Sequence, residues 1–113
     1  MEREARARIY DIATAISRIE EFTAGASFEL YQQDLLLRSA VERQFGIIGE
    51  ALTRLRQRDP DLATRLADHS AIIDFRDVLA YEYKDVPDAI LWGAVHERLP
   101  GLRRDVEALL AED

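Results

Sequence analysis

Apolar residues recur every three to four positions through most of this chain, the spacing that lines one face of an α-helix. Ala5, Ile9, Ile12, Ile16, Ile19 and Phe22 form the first such stripe, which predicts a helix over residues 2–23. Gly25 and Ser27 interrupt it. Asp34 then suits the N-cap of a long second helix, whose inward face would carry Leu37, Val41, Phe45, Ile48, Leu52 and Leu55. Asp59-Pro60 ends that helix, because proline cannot continue the hydrogen-bond ladder. Leu62 to Ala67 could form a short third helix, and Ser70 would cap a fourth over residues 71–83. Pro87 suits the first turn of the last helix, which buries Trp92, Val95, Leu99, Leu102, Val106 and Leu109. Pro100 lies off that stripe, so a kink or short break is expected there with the same face kept inward.

No alternating β-branched run appears, so the expected class is all-α: an up-and-down bundle of four to five helices, one domain over residues 1–113. Trp92, Phe45 and the leucines read as packing residues. A bundle of 113 residues leaves apolar surface to cover, and a dimer would cover it. An apolar content of 48% beside 33% charged residues excludes a disordered chain. With no cysteine, disulfides and thiolate metal sites are excluded, and no HExxH or paired-carboxylate metal motif occurs. No metal and no cofactor is expected. The longest apolar run, residues 89–95, is far too short to span a bilayer, and Met1-Glu2-Arg3-Glu4 does not open a signal peptide. A cytoplasmic location is expected. The net charge of −7 argues against broad electrostatic attraction to nucleic acid. The basic residues, nearly all arginine, are nevertheless clustered at Arg3/Arg6/Arg8, Arg54/Arg56/Arg58 and Arg103/Arg104. Each cluster is either a solvated helix face or one wall of a local basic cleft.

Chemistry concentrates in residues 75–86. On a helix, Ile72, Arg76, Leu79 and Tyr83 fall at 4-3-4 spacing on a single face. That sets a guanidinium inside an apolar stripe, where desolvation is costly unless it meets an anion. The anion could be a carboxylate of the second helix, Glu50 or Glu42, in a buried bridge. It could equally be a phosphate held in a cleft. Asp77 either pairs with Arg76 or is an acid favoured by the helix dipole in an early turn, and Tyr81 and Tyr83 could each simply pack.

Three stretches together resemble the HepT-like toxins of the HEPN superfamily (higher eukaryotes and prokaryotes nucleotide-binding). Residues 40–51, Ala-Val-Glu-Arg-Gln-Phe-Gly-Ile-Ile-Gly-Glu-Ala, are similar to that family's second helix. The segment from Arg76 to Val86 resembles its Arg-Asn-X-X-X-His-X-Tyr signature, and Ile90-Leu91-Trp92 with Leu99-Pro100-Gly101-Leu102 resembles its last helix. The resemblance implies a metal-independent endoribonuclease acting on RNA as a homodimer, with a composite cleft lined by both copies of the motif. It also implies a minimal nucleotidyltransferase antitoxin that silences the toxin by adding adenylyl groups to the motif tyrosine. In such enzymes an arginine stabilises the charged phosphorane and a histidine moves the proton of the attacking 2′-hydroxyl.

Carried onto this chain, Arg76 matches the arginine and Tyr83 the modified tyrosine, with Glu50 in a supporting position. Two positions depart. Asp77 replaces the usual asparagine and sets a carboxylate against an incoming phosphate. Tyr81 replaces the histidine, and a phenol titrating at about pH 10 is a poor general base at pH 7, though it can still donate a proton. His69 and His96 do not fit the motif spacing, which leaves His96, from a neighbouring helix, as the remaining source of a base. The catalytic candidates are therefore Arg76, Asp77 and Tyr81. The alternative is a catalytically degenerate HEPN dimer kept as a binding and regulatory module.

Overall fold

In the computed structural model, residues 1–74 and 87–112 are described, and all their regular structure is helical. Helix α1 spans Arg3–Thr23, α2 Phe28–Gln33, α3 Leu35–Arg58 and α4 Pro60–Ala63. Residues 69–74 are helical as α5, followed after the undescribed segment by α6 (Asp88–Glu97) and α7 (Leu99–Ala111). The expected all-α class is what the described residues show.

Aspartates divide the chain at two of these joints. Asp34 closes α2 and opens α3, its Oδ1 accepting the Leu37 N–H at 3.0 Å. Asp59 closes α3 and opens α4 in the same way, accepting the Leu62 N–H at 3.1 Å. Each carboxylate satisfies a first-turn donor that has no intrahelical partner. After α1, Gly25 takes the left-handed conformation (φ +73°) that an L side chain resists.

Ion pairs at the helix ends show the direction of each helix. Arg58, at the end of α3, meets Glu2 at 2.8 Å and Glu4 at 3.1 Å at the start of α1. Arg103, early in α7, meets Glu20 and Ser17 late in α1, with its Nε 2.8 Å from the Glu20 carboxylate. Both α3 and α7 therefore run antiparallel to α1. Between them lies a core in which Ile9, Ile12, Ile16, Ile19, Val41, Phe45, Ile48, Leu52, Leu55 and Leu102 are wholly buried.

The structure departs from the sequence expectation in six places. Phe22 ends the first stripe but is exposed, while Thr23 beside it is buried. The segment expected only to break α1 folds instead as α2, with Ser27 Oγ accepting the Leu30 N–H at 3.1 Å. The third helix starts at Pro60, two residues early, since Asp59 caps it. Helix α5 starts at His69, so Ser70 lies inside its first turn and is no cap, and the rest of the expected fourth helix lies outside the described residues. Pro87 is the N-cap residue of α6 and lies outside its first turn. The expected break near Pro100 falls at Arg98, and Leu91, Ala94, Val95, Leu99, Leu102, Val106 and Leu109 keep one inward face across it.

Candidate functional site

Arg76, Asp77, Tyr81 and Tyr83 all lie outside the described residues, as does any bridge between Arg76 and Glu42 or Glu50. The framework on either side of them is described, and it is fixed at both ends. On the entry side Ile72 and Ile73 are buried in the core. Just before α5, Asp68 adopts a left-handed backbone (φ 59°), which aspartate tolerates better than most residues. Its carbonyl accepts the Ile72 N–H at 3.0 Å, and its carboxylate meets Arg98 at 3.2 Å. The neighbouring Ala67 N–H donates to Asp105 at 2.8 Å. The start of α5 is thus tied to the joint between α6 and α7.

Arg38 holds the exit side. Its guanidinium lies 3.8 Å from Asp88, the first residue of α6, and also donates to the Gln32 carbonyl at the end of α2. One half-buried side chain therefore joins α2, α3 and α6 next to the point where the chain returns from the motif. Glu50 is the one candidate among the described residues. It lies half-exposed on α3, accepts a 2.8 Å hydrogen bond from Arg54 Nε and has further contacts.

An aromatic group that sequence reasoning did not anticipate fills the space between α2 and α6. Trp92, expected in the core, is only partly buried; its ring lies 5.2 Å from Tyr31, 6.2 Å from Phe28 and 4.6 Å from His96. The signal for it was Ser27-Phe28-Glu29-Leu30-Tyr31: a capping serine, an acid in the first turn, and two rings three residues apart. Tyr31 is fully buried and its hydroxyl has no hydrogen-bond partner among the described residues. Burial, reinforced by the Glu42 and Asp88 carboxylates, pushes its phenol up to about 12, so it is neutral at any physiological pH. His96 is exposed, with its Nδ1 2.8 Å from the Trp92 carbonyl oxygen. A carbonyl only accepts, so this hydrogen bond needs a proton on Nδ1.

Several arginines, among them Arg54, Arg58 and Arg103 of the clusters, are paired with acids. Arg54 pairs with Glu50, Arg58 with Glu2 and Glu4, Arg65 with Glu112, and Arg103 with Glu20 and Glu107. The Arg58 guanidinium holds the Glu2 carboxyl below its usual range. These pairs account for much of the clustering that a basic cleft would otherwise explain. Among the described residues, no group of three or more His, Asp or Glu side chains could hold a metal ion, and no helix is long and apolar enough to cross a membrane.

Residues 12–109 match the family described as Ribonuclease HepT-like. The chain belongs to the HepT-like ribonuclease family. The match spans most of the fold, from mid-α1 to the last turns of α7, and runs through the whole of the 75–86 segment. The protein named "Probable ribonuclease HepT" in Thermococcus cleftensis is 34% identical over 113 residues, covering 96% of this chain and 98% of that one. A Methanocaldococcus jannaschii protein, named as a candidate RNase, is 27% identical over 109 residues, covering 93% of this chain and 95% of its own. No solved structure matches the chain. Family and relatives together make this a ribonuclease-type HepT-like chain, in agreement with the resemblance read from its three stretches.

Proposed function

We propose that this HepT-like chain is the toxin of a toxin–antitoxin pair, a metal-independent endoribonuclease that works as a homodimer in the cytoplasm. Its antitoxin would be a minimal nucleotidyltransferase that silences it by adenylylating Tyr83. The observation that supports this reading is the family match, whose span includes residues 75–86; Arg76 and Tyr83 lie there at the spacing of the signature that the segment resembles. In the reaction the RNA 2′-oxygen attacks the adjacent phosphorus, the bond to the 5′-oxygen breaks, and the 5′-oxygen leaves with a proton. Arg76 supplies a fixed cation where the phosphorane gains negative charge. Tyr81 is suited to giving the proton to the leaving oxygen and poorly suited to removing one from the 2′-hydroxyl. Asp77 sits beside Arg76 in sequence and opposes the phosphate.

Those two departures support a second reading, a degenerate HEPN dimer that binds and regulates without cleaving. Loss of a general base typically costs about 10²- to 10⁴-fold in rate. The net charge of −7 and the acid-paired arginines point the same way. Expressing the chain alone and together with its gene neighbour, then scoring growth and RNA integrity, separates the two. RNA breakdown by the chain alone, relieved by a nucleotidyltransferase neighbour, supports the toxin. Intact RNA and normal growth at high expression leave the binding module.

A further inference from the structure

Four aromatic rings join the core to the surface between α2 and α6. Tyr31 is fully buried, Phe28 and Trp92 are partly buried, and His96 is exposed. Trp92 links them, its ring 5.2 Å from Tyr31, 6.2 Å from Phe28 and 4.6 Å from His96. These separations lie in the range that aromatic pairs prefer. The outermost ring is held twice: His96 packs against the Trp92 indole, and its Nδ1 is 2.8 Å from the Trp92 carbonyl oxygen. An exposed side chain ordinarily keeps its rotamer freedom and loses it on binding. Here that ordering is already present in the chain alone. A favourable charge in the last turn of α6 explains a histidine, but does not require its ring to meet the indole.

The chain's family and its charge identify the ligand. The chain belongs to a ribonuclease family, and single-stranded RNA is recognised largely by stacking unpaired bases on Phe, Tyr, Trp and His rings. Stacking uses the face of a base and not the charge of its phosphate. It therefore suits a chain of net charge −7 in which Arg54, Arg58 and Arg103 are paired with acids. The position suits it too. Trp92 and His96 lie one and two turns along α6 from Asp88, near the point where the chain returns from residues 75–86. Those turns place them roughly 6 and 12 Å along the helix axis.

We infer that Trp92 and His96 form a stacking subsite for an unpaired base of RNA, with the His96 ring as its outer face. Purines, with the larger ring area, are its preferred occupants. The inference rests on RNA as the proposed substrate and holds whether or not the chain cleaves it.

Trp92 is the only tryptophan of the chain, so indole emission reports this place alone. The probe is a short, end-labelled 2′-O-methyl oligoadenylate, which lacks the attacking hydroxyl and stays intact; an abasic strand of equal length is its control. Anisotropy of the label measures binding, and Trp92 emission measures contact. Oligoadenylate should bind and quench Trp92. His96→Ala should weaken that binding at least about tenfold while changing abasic-strand binding less than about twofold. His96→Phe, which keeps a ring, should return it to within about threefold of wild type. Oligoadenylate that binds without changing Trp92 emission, or binds His96→Ala as well as wild type, would overturn the inference and keep RNA as the ligand. So would an equal loss on the abasic strand, which would place the effect in the backbone contacts or in the fold. If neither strand nor any RNA binds the wild type, the RNA reading itself is overturned and the subsite with it.

Discussion

Replacing Tyr31 by phenylalanine should strengthen this fold, and increasingly so as the pH rises. The Tyr31 side chain is 0% exposed, and its hydroxyl lacks a partner among the described residues. A buried polar group left unsatisfied costs about 1–3 kcal/mol, so losing the oxygen while keeping the ring should gain up to about that at pH 7. The ring's contact with Trp92, at 5.2 Å, would be kept. The pH dependence follows from the phenol's rise to about 12, against about 10 in an unfolded chain. Below pH 10 both states hold the proton and the term is constant. Between 10 and 12 the unfolded chain loses its proton first, so native stability falls as pH rises. The loss reaches about 1.4 kcal/mol at pH 11 and tends towards about 2.7 kcal/mol above pH 12. Urea unfolding of wild type and Tyr31→Phe at pH 7 and pH 11 isolates this residue, because every other titrating group is common to both proteins. The variant should be at least as stable at pH 7, with its advantage larger by about 1.4 kcal/mol at pH 11. A variant weaker by more than about 1 kcal/mol at pH 7 would mean that the hydroxyl has a partner. A gap that does not widen at pH 11 would mean that the phenol ionises normally.

Ribonuclease activity should persist in a chelator and vanish in Arg76→Ala, while Arg76→Lys should recover little, because a point charge lacks the planar fork of guanidinium; a fluorogenic RNA assay reads all three. Tyr81→His should raise cleavage of single-stranded RNA at least about tenfold, since imidazole titrates near neutrality. Adding Asp77→Asn should raise it further by removing a negative charge near the phosphate. A double variant that binds RNA yet cleaves no faster than wild type would favour the binding module. Asp34→Ala should cost about 1 kcal/mol in urea unfolding by removing the side-chain cap of α3; an unchanged midpoint would show that the cap is dispensable.

The core was legible in the sequence because periodicity and burial share one cause. Ile9, Ile12, Ile16 and Ile19, and Val41, Phe45, Ile48, Leu52 and Leu55, recur at the spacing that aligns side chains on one helix face, and all are fully buried. The cap at Asp34 and the stop at Asp59-Pro60 were legible for a similar reason, since each depends on a donor within a few residues. What the pattern hid was the short and the relational. Helix α2 has only six residues, too few to show a period, and is held by Ser27 and by Tyr31 and Phe28 packing on Trp92. Phe22 carries the right spacing but is exposed among the described residues.

The candidate site divides along the same line. Its proposed residue types and spacing could be read from the sequence, because Arg76 and Tyr83 lie within one short segment. The ion pairs that secure its frame could not, because they join residues far apart in sequence: Arg38 with Asp88, and Asp68 with Arg98. Neither is deeply buried, so each contributes modestly to stability. Their effect is geometric. They fix where α5 starts and where α6 begins, and so confine the two ends of the segment that carries Arg76, Tyr81 and Tyr83.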